Sequence, residues 1–152
     1  MRVSAKADYA VRAMIELVDG GEDKPVKGEL VSSSQGIPLR FLENILSELR
    51  HAGLVHSRRG TDGGYWLAKP PNAITIADII RAADGPLATV RGEPADELDY
   101  AEDAKPLQEV WIALRANIRE VLETVTLADV VGGQLPEPVR SIASQPDVWQ
   151  TR

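Results

Sequence analysis

Arg40, Glu43, Asn44 and Ser47 fall on one side of a segment whose other side carries Leu42, Ile45, Leu46 and Leu49. These polar types suit the edges of base pairs. Arginine binds guanine O6 and N7 bidentately, asparagine does the same for adenine, and glutamate accepts from cytosine N4. An ordinary solvated helix face would show the same residues. Further along, Arg58 and Arg59 precede Gly60-Thr61-Asp62-Gly63-Gly64. Glycines at a loop tip let the backbone approach a phosphate or enter a narrow groove, where enhanced negative potential draws arginine side chains. Asp62 opposes this mildly. The alternative is a hairpin turn in which the glycines supply positive φ angles and the arginines lie on a solvated edge. The loop has neither the spacing nor the lysine of a nucleotide-binding phosphate loop.

Other chemistry has little to draw on. The 152 residues include no cysteine, which removes thiol nucleophiles, disulfides, cysteine-ligated zinc and cysteine-held iron–sulfur clusters. The two histidines, His51 and His56, are assigned to a helix end and a strand, a poor metal pair, and no nucleophile–base set accompanies them. The expectation is no enzyme, no metal and no cofactor. No stretch approaches the roughly 18 uninterrupted apolar residues of a membrane span, and the first residues do not form a signal peptide, so the protein is expected in the cytoplasm, off the membrane. The net charge of −6 hides an asymmetry. Residues 1–69 hold ten Lys and Arg against nine Asp and Glu, net +1, whereas residues 70–152 hold seven against fourteen, net −7. Steering depends on local potential, so the first half can still bind a polyanion.

The elements that must position these residues follow from periodicity. Ala7, Ala10, Val11, Met14, Ile15 and Val18 recur at helical spacing between Ser4, a candidate N-cap, and Gly20-Gly21. Val26–Ser34 suggests a short second helix ending at Gln35-Gly36. Pro38 suits the start of a third, over Leu39–His51, which Gly53 ends. Leu54–Arg58 and Tyr65–Ala68 then read as two strands around the glycine loop. Helix, short helix, longer helix and hairpin within about 70 residues is the order of a winged helix-turn-helix.

After Pro70-Pro71 a fourth helix is expected over Ile74–Ala83, with Thr75 and Asp78 echoing a capping box. Residues 84–105 contain seven acidic residues and read as a solvated, mobile loop. That loop could coordinate a cation or contact a partner, though solvation is the simpler account. From Pro106, the residues Leu107, Val110, Trp111, Leu114, Ile118, Val121, Leu122 and Val125 form a stripe about five turns long. It exceeds what a small head can cover, so pairing with a second copy about a two-fold axis is expected. The tail after Gly132-Gly133 is expected to be irregular, with Trp149 a candidate to dock it. The fold class is therefore mainly α with a small β-hairpin wing: a head over 1–70, a helix, loop and long dimerisation helix over 71–131, and a tail over 132–152.

Several segments together resemble one family of bacterial winged-helix regulators, which includes the iron–sulfur assembly regulator IscR, the nitric-oxide sensor NsrR and the cysteine-metabolism repressor CymR. They are Lys6-Ala7-Asp8-Tyr9-Ala10, Gly36–Glu43, Leu49–Val55, and above all the wing Ser57-Arg58-Arg59-Gly60-Thr61-Asp62-Gly63-Gly64-Tyr65-Trp66-Leu67, with Ile76–Ile80 and Leu127–Val130 beyond. The resemblance covers residues 1 to about 130. It implies DNA contacts from Pro38, Arg40, Phe41, Glu43 and Asn44 on the third helix, and from Ser57, Arg58, Arg59, Gly60, Gly63, Gly64 and Tyr65 in the wing. Lys6 and Tyr9 are implied phosphate contacts, with a half-buried anchor the other reading of Tyr9 and a core or hinge role that of Phe41. In cluster-bearing members the loop before the long helix holds three cysteines. Here it holds none, which places this sequence with the cluster-free members.

The function this implies is a homodimeric, sequence-specific regulator, a repressor, on an inverted-repeat operator in double-stranded DNA. Family logic allows control by a small molecule between head and long helix or by a partner protein. The alternative is a winged-helix protein-interaction module whose DNA binding is vestigial.

Overall fold

A computed structural model describes residues 2–151. Seven helices and one hairpin follow in the order α1 (Ala5–Glu16), α2 (Gly28–Gln35), α3 (Leu39–His51), β1 (Val55–Arg58), β2 (Gly64–Leu67), α4 (Ile76–Asp84), α5 (Pro106–Thr124), α6 (Leu127–Gly132) and α7 (Glu137–Ala143). The fold is mainly α with a two-stranded antiparallel wing, as expected from the periodicities.

Local chemistry explains the boundaries. The Ser4 side chain accepts from Ala7 N at 2.9 Å and caps α1. Gly36, in the left-handed region at φ 64°, closes α2, and two residues later Pro38 caps α3, so the turn of the helix-turn-helix is short. Thr75 and Asp78 form a complete capping box on α4, and Thr126 with Asp129 form a second on α6. The two boxes meet. Thr75 and Thr126 pair as an antiparallel bridge, with Ile76 N donating to Val125 O at 2.9 Å and Leu127 N to Ile74 O at 2.8 Å.

The core is continuous across Pro70-Pro71. Met14 of α1, Leu17 just past its end, Val31 of α2 and Leu42, Ile45, Leu46 and Leu49 of α3 pack with Ile74 before α4, Ile79 within it and Leu127 of α6. Thus α4 and α6 share the packing that holds the helix-turn-helix rigid.

The acidic stretch after α4 is a loop whose seven acidic side chains are all exposed, and it is anchored at a few points: Ala95 and Leu98 are buried, Val90 pairs with Glu93, and the Gln108 carboxamide donates to the carbonyls of Ala95 and Leu98 at 3.2 and 3.1 Å. Acidity along the chain is compatible with folding here because one amide side chain on α5 satisfies the loop's inward-facing carbonyls. The tail is not irregular, since it contains α7 and a 3-10 turn over Pro146–Trp149. Pro136 and Pro138 act as starters, occupying the cap and first turn of α7 where no intrahelical N–H is needed. Trp149 does not dock on the head; it is 79% exposed and donates to Ala143 O at 2.6 Å.

The α5 stripe divides. Leu107, Val110 and Leu114 are exposed, Trp111 donates to the Tyr100 hydroxyl at 3.1 Å, and Ile118, Val121 and Leu122 line an 860 Å³ hollow with Val3, Ala7 and Ile80. Val125 leaves the stripe, because it follows the last turn in extended conformation and is buried by the chain itself.

Candidate nucleic-acid interface

The α3 helix buries Leu42, Ile45, Leu46 and Leu49, and this fixes what it shows to solvent: Arg40, Glu43 and Asn44 are exposed on the opposite side, with Pro38 exposed at its start. Arg40 makes no side-chain bond among the described residues. Its guanidinium is therefore free to meet a planar acceptor pair at no cost in broken contacts. Ser47, on the same side, is half-buried, and its carbonyl lies 2.7 Å from His51 Nδ1.

Phe41 is neither a core residue nor a free one. It is 38% exposed and meets Tyr9 edge-on, with centroids 5.7 Å apart and planes at 83°. The Arg12 guanidinium covers the Tyr9 ring at 5.4 Å and bonds Gln35 Oε1 at 3.1 Å and the Gln35 carbonyl. These contacts tie α1, the end of α2 and the start of α3 into one unit. Lys6 is tied likewise: its Nζ lies 2.8 Å from a Glu48 carboxylate oxygen, both side chains being partly exposed. Lys6 and Tyr9 thus hold α3 in place, and a phosphate contact from Lys6 would compete with Glu48.

The wing pairs Val55 with Leu67, His56 with Trp66, Ser57 with Tyr65 and Arg58 with Gly64. Two glycines are obligatory. A Cβ at Gly63 would stand 2.0 Å from Arg58 O, and one at Gly64, where φ is +152°, 2.6 Å from Val26 O. The second close approach arises because Val26 adds a further rung to the sheet, exchanging two 2.8 Å bonds with Tyr65. Gly60, at φ 102°, turns the tip.

On this scaffold Arg58 donates to Asp62 O at 3.2 Å and lies 5.9 Å from the Trp66 ring centroid, while Ser57 accepts from Arg50 at 3.3 Å. Arg59 is exposed and makes no side-chain bond among the described residues. Tyr65 is half-buried where the wing meets the helices. Its hydroxyl pKa is raised, first by burial and then by the charge of Glu43, so it stays a neutral donor near the α3 face.

The structure brings Arg40, Glu43 and Asn44 onto one α3 face and sets Ser57, Arg58 and Arg59 on the adjoining wing. Gly63 and Tyr65 are structural supports of that surface. Sequence reasoning missed Lys27, whose ammonium holds the wing tip through the carbonyls of Gly60 and Thr61, and Arg50, which fastens Ser57. No local pattern marks either, since each contact joins separate elements.

No group of three or more metal-ligating side chains occurs among the described residues, and no helix there is long and apolar enough to cross a membrane. With no cysteine in the chain, and with Gln108 bonded into the loop before α5, the residues present do not fit a thiolate-held iron–sulfur cluster.

A family model described as "Rrf2: Iron-dependent Transcriptional regulator" matches residues 3–133. Rv1287 of Mycobacterium tuberculosis (strain H37Rv) is 51% identical over 143 residues, covering 94% of this chain and 89% of the relative. The solved structure of CymR, the global cysteine regulator of Bacillus subtilis, superposes with a TM-score of 0.72 at 37% identity, covering 87% of this chain and 97% of that one. The IscR structure from T. potens gives 0.69 at 33% identity, over 93% and 96% of the two chains.

Proposed function

The chain belongs to the Rrf2 family of DNA-binding, winged-helix transcriptional regulators, and from that membership we propose that it is a homodimeric repressor reading an inverted-repeat operator, governed by something other than a thiolate-held cluster. The observation that carries this reading is the pairing of unbonded cations with rigid supports. Arg40 on α3 and Arg59 on the wing are both exposed and unengaged among the described residues, while the residues behind them are locked by the Tyr9–Phe41, Lys6–Glu48 and Lys27–wing contacts. Groups that are free at the tip and fixed at the base suit a surface that docks without rearranging.

In the division of labour we propose, α3 enters a major groove with Arg40, Glu43 and Asn44 reading base edges, and Arg59 reaches the neighbouring minor groove or its phosphates. The wing backbone and Ser57 position the head without specifying sequence. Residues 1–70 do the reading and α5 joins two copies. Support for the joining is that α5, 19 residues long, buries none of its residues within the chain. The relatives named as regulators favour a non-enzymatic role.

Selection of sheared genomic DNA by the purified protein at two salt concentrations, followed by sequencing, tests this. A few recovered sites sharing an inverted repeat is the expected result. Enrichment of nothing at either salt, or of sites lacking two-fold symmetry, overturns it.

A further inference from the structure

The acidic half of the chain gathers its cations in one place. Three of the seven Lys and Arg in residues 70–152, namely Arg81, Arg115 and Arg119, line a hollow of about 540 Å³ floored by Gly85, Pro86 and Leu87. Like charges drawn together in this way are unfavourable unless anions offset them. The chain supplies two. Glu123 accepts from Arg81 and from Arg119 Nε, the latter at 3.0 Å, and Asp96 accepts from Arg115. These bonds hold both carboxyl groups below their usual range, so both are ionised at neutral pH. Three cations against two anions leave one positive charge. Donors are in larger surplus, because a guanidinium carries five N–H groups and each arginine gives a hydrogen bond to only one side chain among the described residues.

Unspent, planar donor sets around an apolar floor match a compact oxyanion on a small organic body, since guanidinium binds carboxylate and phosphate bidentately. We propose that this hollow is the effector site, and that it takes a small molecule bearing a carboxylate or phosphate group, held by Arg81, Arg115 and Arg119 with its apolar part on Pro86 and Leu87. The regulatory half of the proposal rests on the DNA-binding reading above; the binding half does not.

Position gives the site its consequence. Arg81 belongs to α4, packed in the head, while Arg115 and Arg119 belong to α5. An anion gripped from both sides ties the head to the long helix and favours one angle between them, and with it one spacing of two heads on DNA. The hollow also stays open when α5 is covered. Arg119 follows Val110 by nine residues, about two and a half turns, and so stands on the opposite flank from the exposed Val110 and Leu114.

Inorganic phosphate is the probe, titrated into the full chain without DNA and followed by calorimetry and thermal unfolding, with chloride at matched ionic strength as the reference. Saturable phosphate binding is expected in the parent and in Arg59→Ala, whose cation lies on the DNA face. It should weaken about ten-fold in Arg119→Gln and in Leu87→Glu, the loss of one charge-assisted bond or the gain of one repelling charge. Leu87→Glu leaves every ion pair of the site intact and so guards against a merely structural effect of Arg119→Gln. Binding that is absent, unsaturable, equal in Arg119→Gln and the parent, or lost in Arg59→Ala alone overturns the site. Because no DNA is present, failure here leaves the operator reading standing, and failure of the genomic selection leaves the anion site standing.

Discussion

Tyr9 stands edge-on to Phe41, with ring centroids 5.7 Å apart and planes at 83°, and this contact joins α1 to the first turn of α3. An edge-to-face pair contributes about 0.5–1.5 kcal/mol beyond the area it buries. A double-mutant cycle of Tyr9→Leu and Phe41→Leu, read by denaturant unfolding, should therefore give a coupling of about 1 kcal/mol. Additive single-variant effects would show that the rings touch without stabilising each other.

Arg40 and Arg59 both lack a side-chain partner among the described residues, and their expected roles differ. Arg59→Ala should lower affinity for all DNA sequences alike and reduce the slope of log affinity against log salt by about one. Arg40→Ala should instead cost about 1–3 kcal/mol on the preferred operator while altering preference at one base position. Competition binding at several salt concentrations separates the two patterns. Parent-like binding by both variants would sink the assigned interface.

Gly63 is buried under its own turn, where an added Cβ would lie 2.0 Å from the Arg58 carbonyl oxygen. The clash is with backbone, which cannot swing aside, so Gly63→Ala should destabilise by about 2 kcal/mol or more and weaken DNA binding through a displaced wing. Gly132 offers the contrast: a Cβ there meets nothing within 4 Å, and it ends a helix. Gly132→Ala should stabilise by about 0.4–1 kcal/mol. Equal unfolding midpoints for the two variants would contradict the argument.

Asp129 accepts from the Thr126 backbone N–H at 2.8 Å and from its hydroxyl, and these bonds hold its carboxyl below the usual range. A depressed folded-state pKa contributes stability that is fully present above the unfolded value of 3.8 and is lost as pH falls through the folded one. The parent should therefore lose more unfolding free energy than Asp129→Asn when pH is lowered from 5 toward 3. Parallel pH profiles would show that the capping carboxylate carries no such linkage.

The elements legible in the sequence were those encoded locally. Leu39–His51 is bounded by its apolar spacing and by Pro38, and α1 and α4 by Ser4 and Thr75, each of which acts on an N–H three residues away. Thr126 and Asp129 repeat the spacing of Thr75 and Asp78, so α6 carried the same signal. The α7 helix was hidden because Pro136 and Pro138 break helices everywhere except at their starts, which is where they sit. At the site, Arg40 and Arg59 could be picked by type and position. The grip of Lys27 on the wing tip, the Val26 rung beside Tyr65 and the arginine hollow between α4 and α5 each join residues more than 30 apart in the chain, and no local period announces such pairings.

The proposed dimer rests on the exposed part of the α5 stripe. Val110 is 54% exposed, and Leu107 and Leu114 lie within one turn of it on the same side, an apolar face that water would otherwise hydrate along much of the helix. Pairing two such faces about a two-fold axis would bury them without a second protein. Light scattering at micromolar concentration should give twice the chain mass. Val110→Glu should return the chain mass, because two carboxylates would face each other across the axis. The helical circular dichroism of that variant should match the parent, since Val110 contributes nothing to the core. Its operator affinity should fall by about 100-fold or more, as the second half-site no longer gains from being tethered to the first. A monomeric parent, or a Val110→Glu variant that remains dimeric, would place the contact elsewhere.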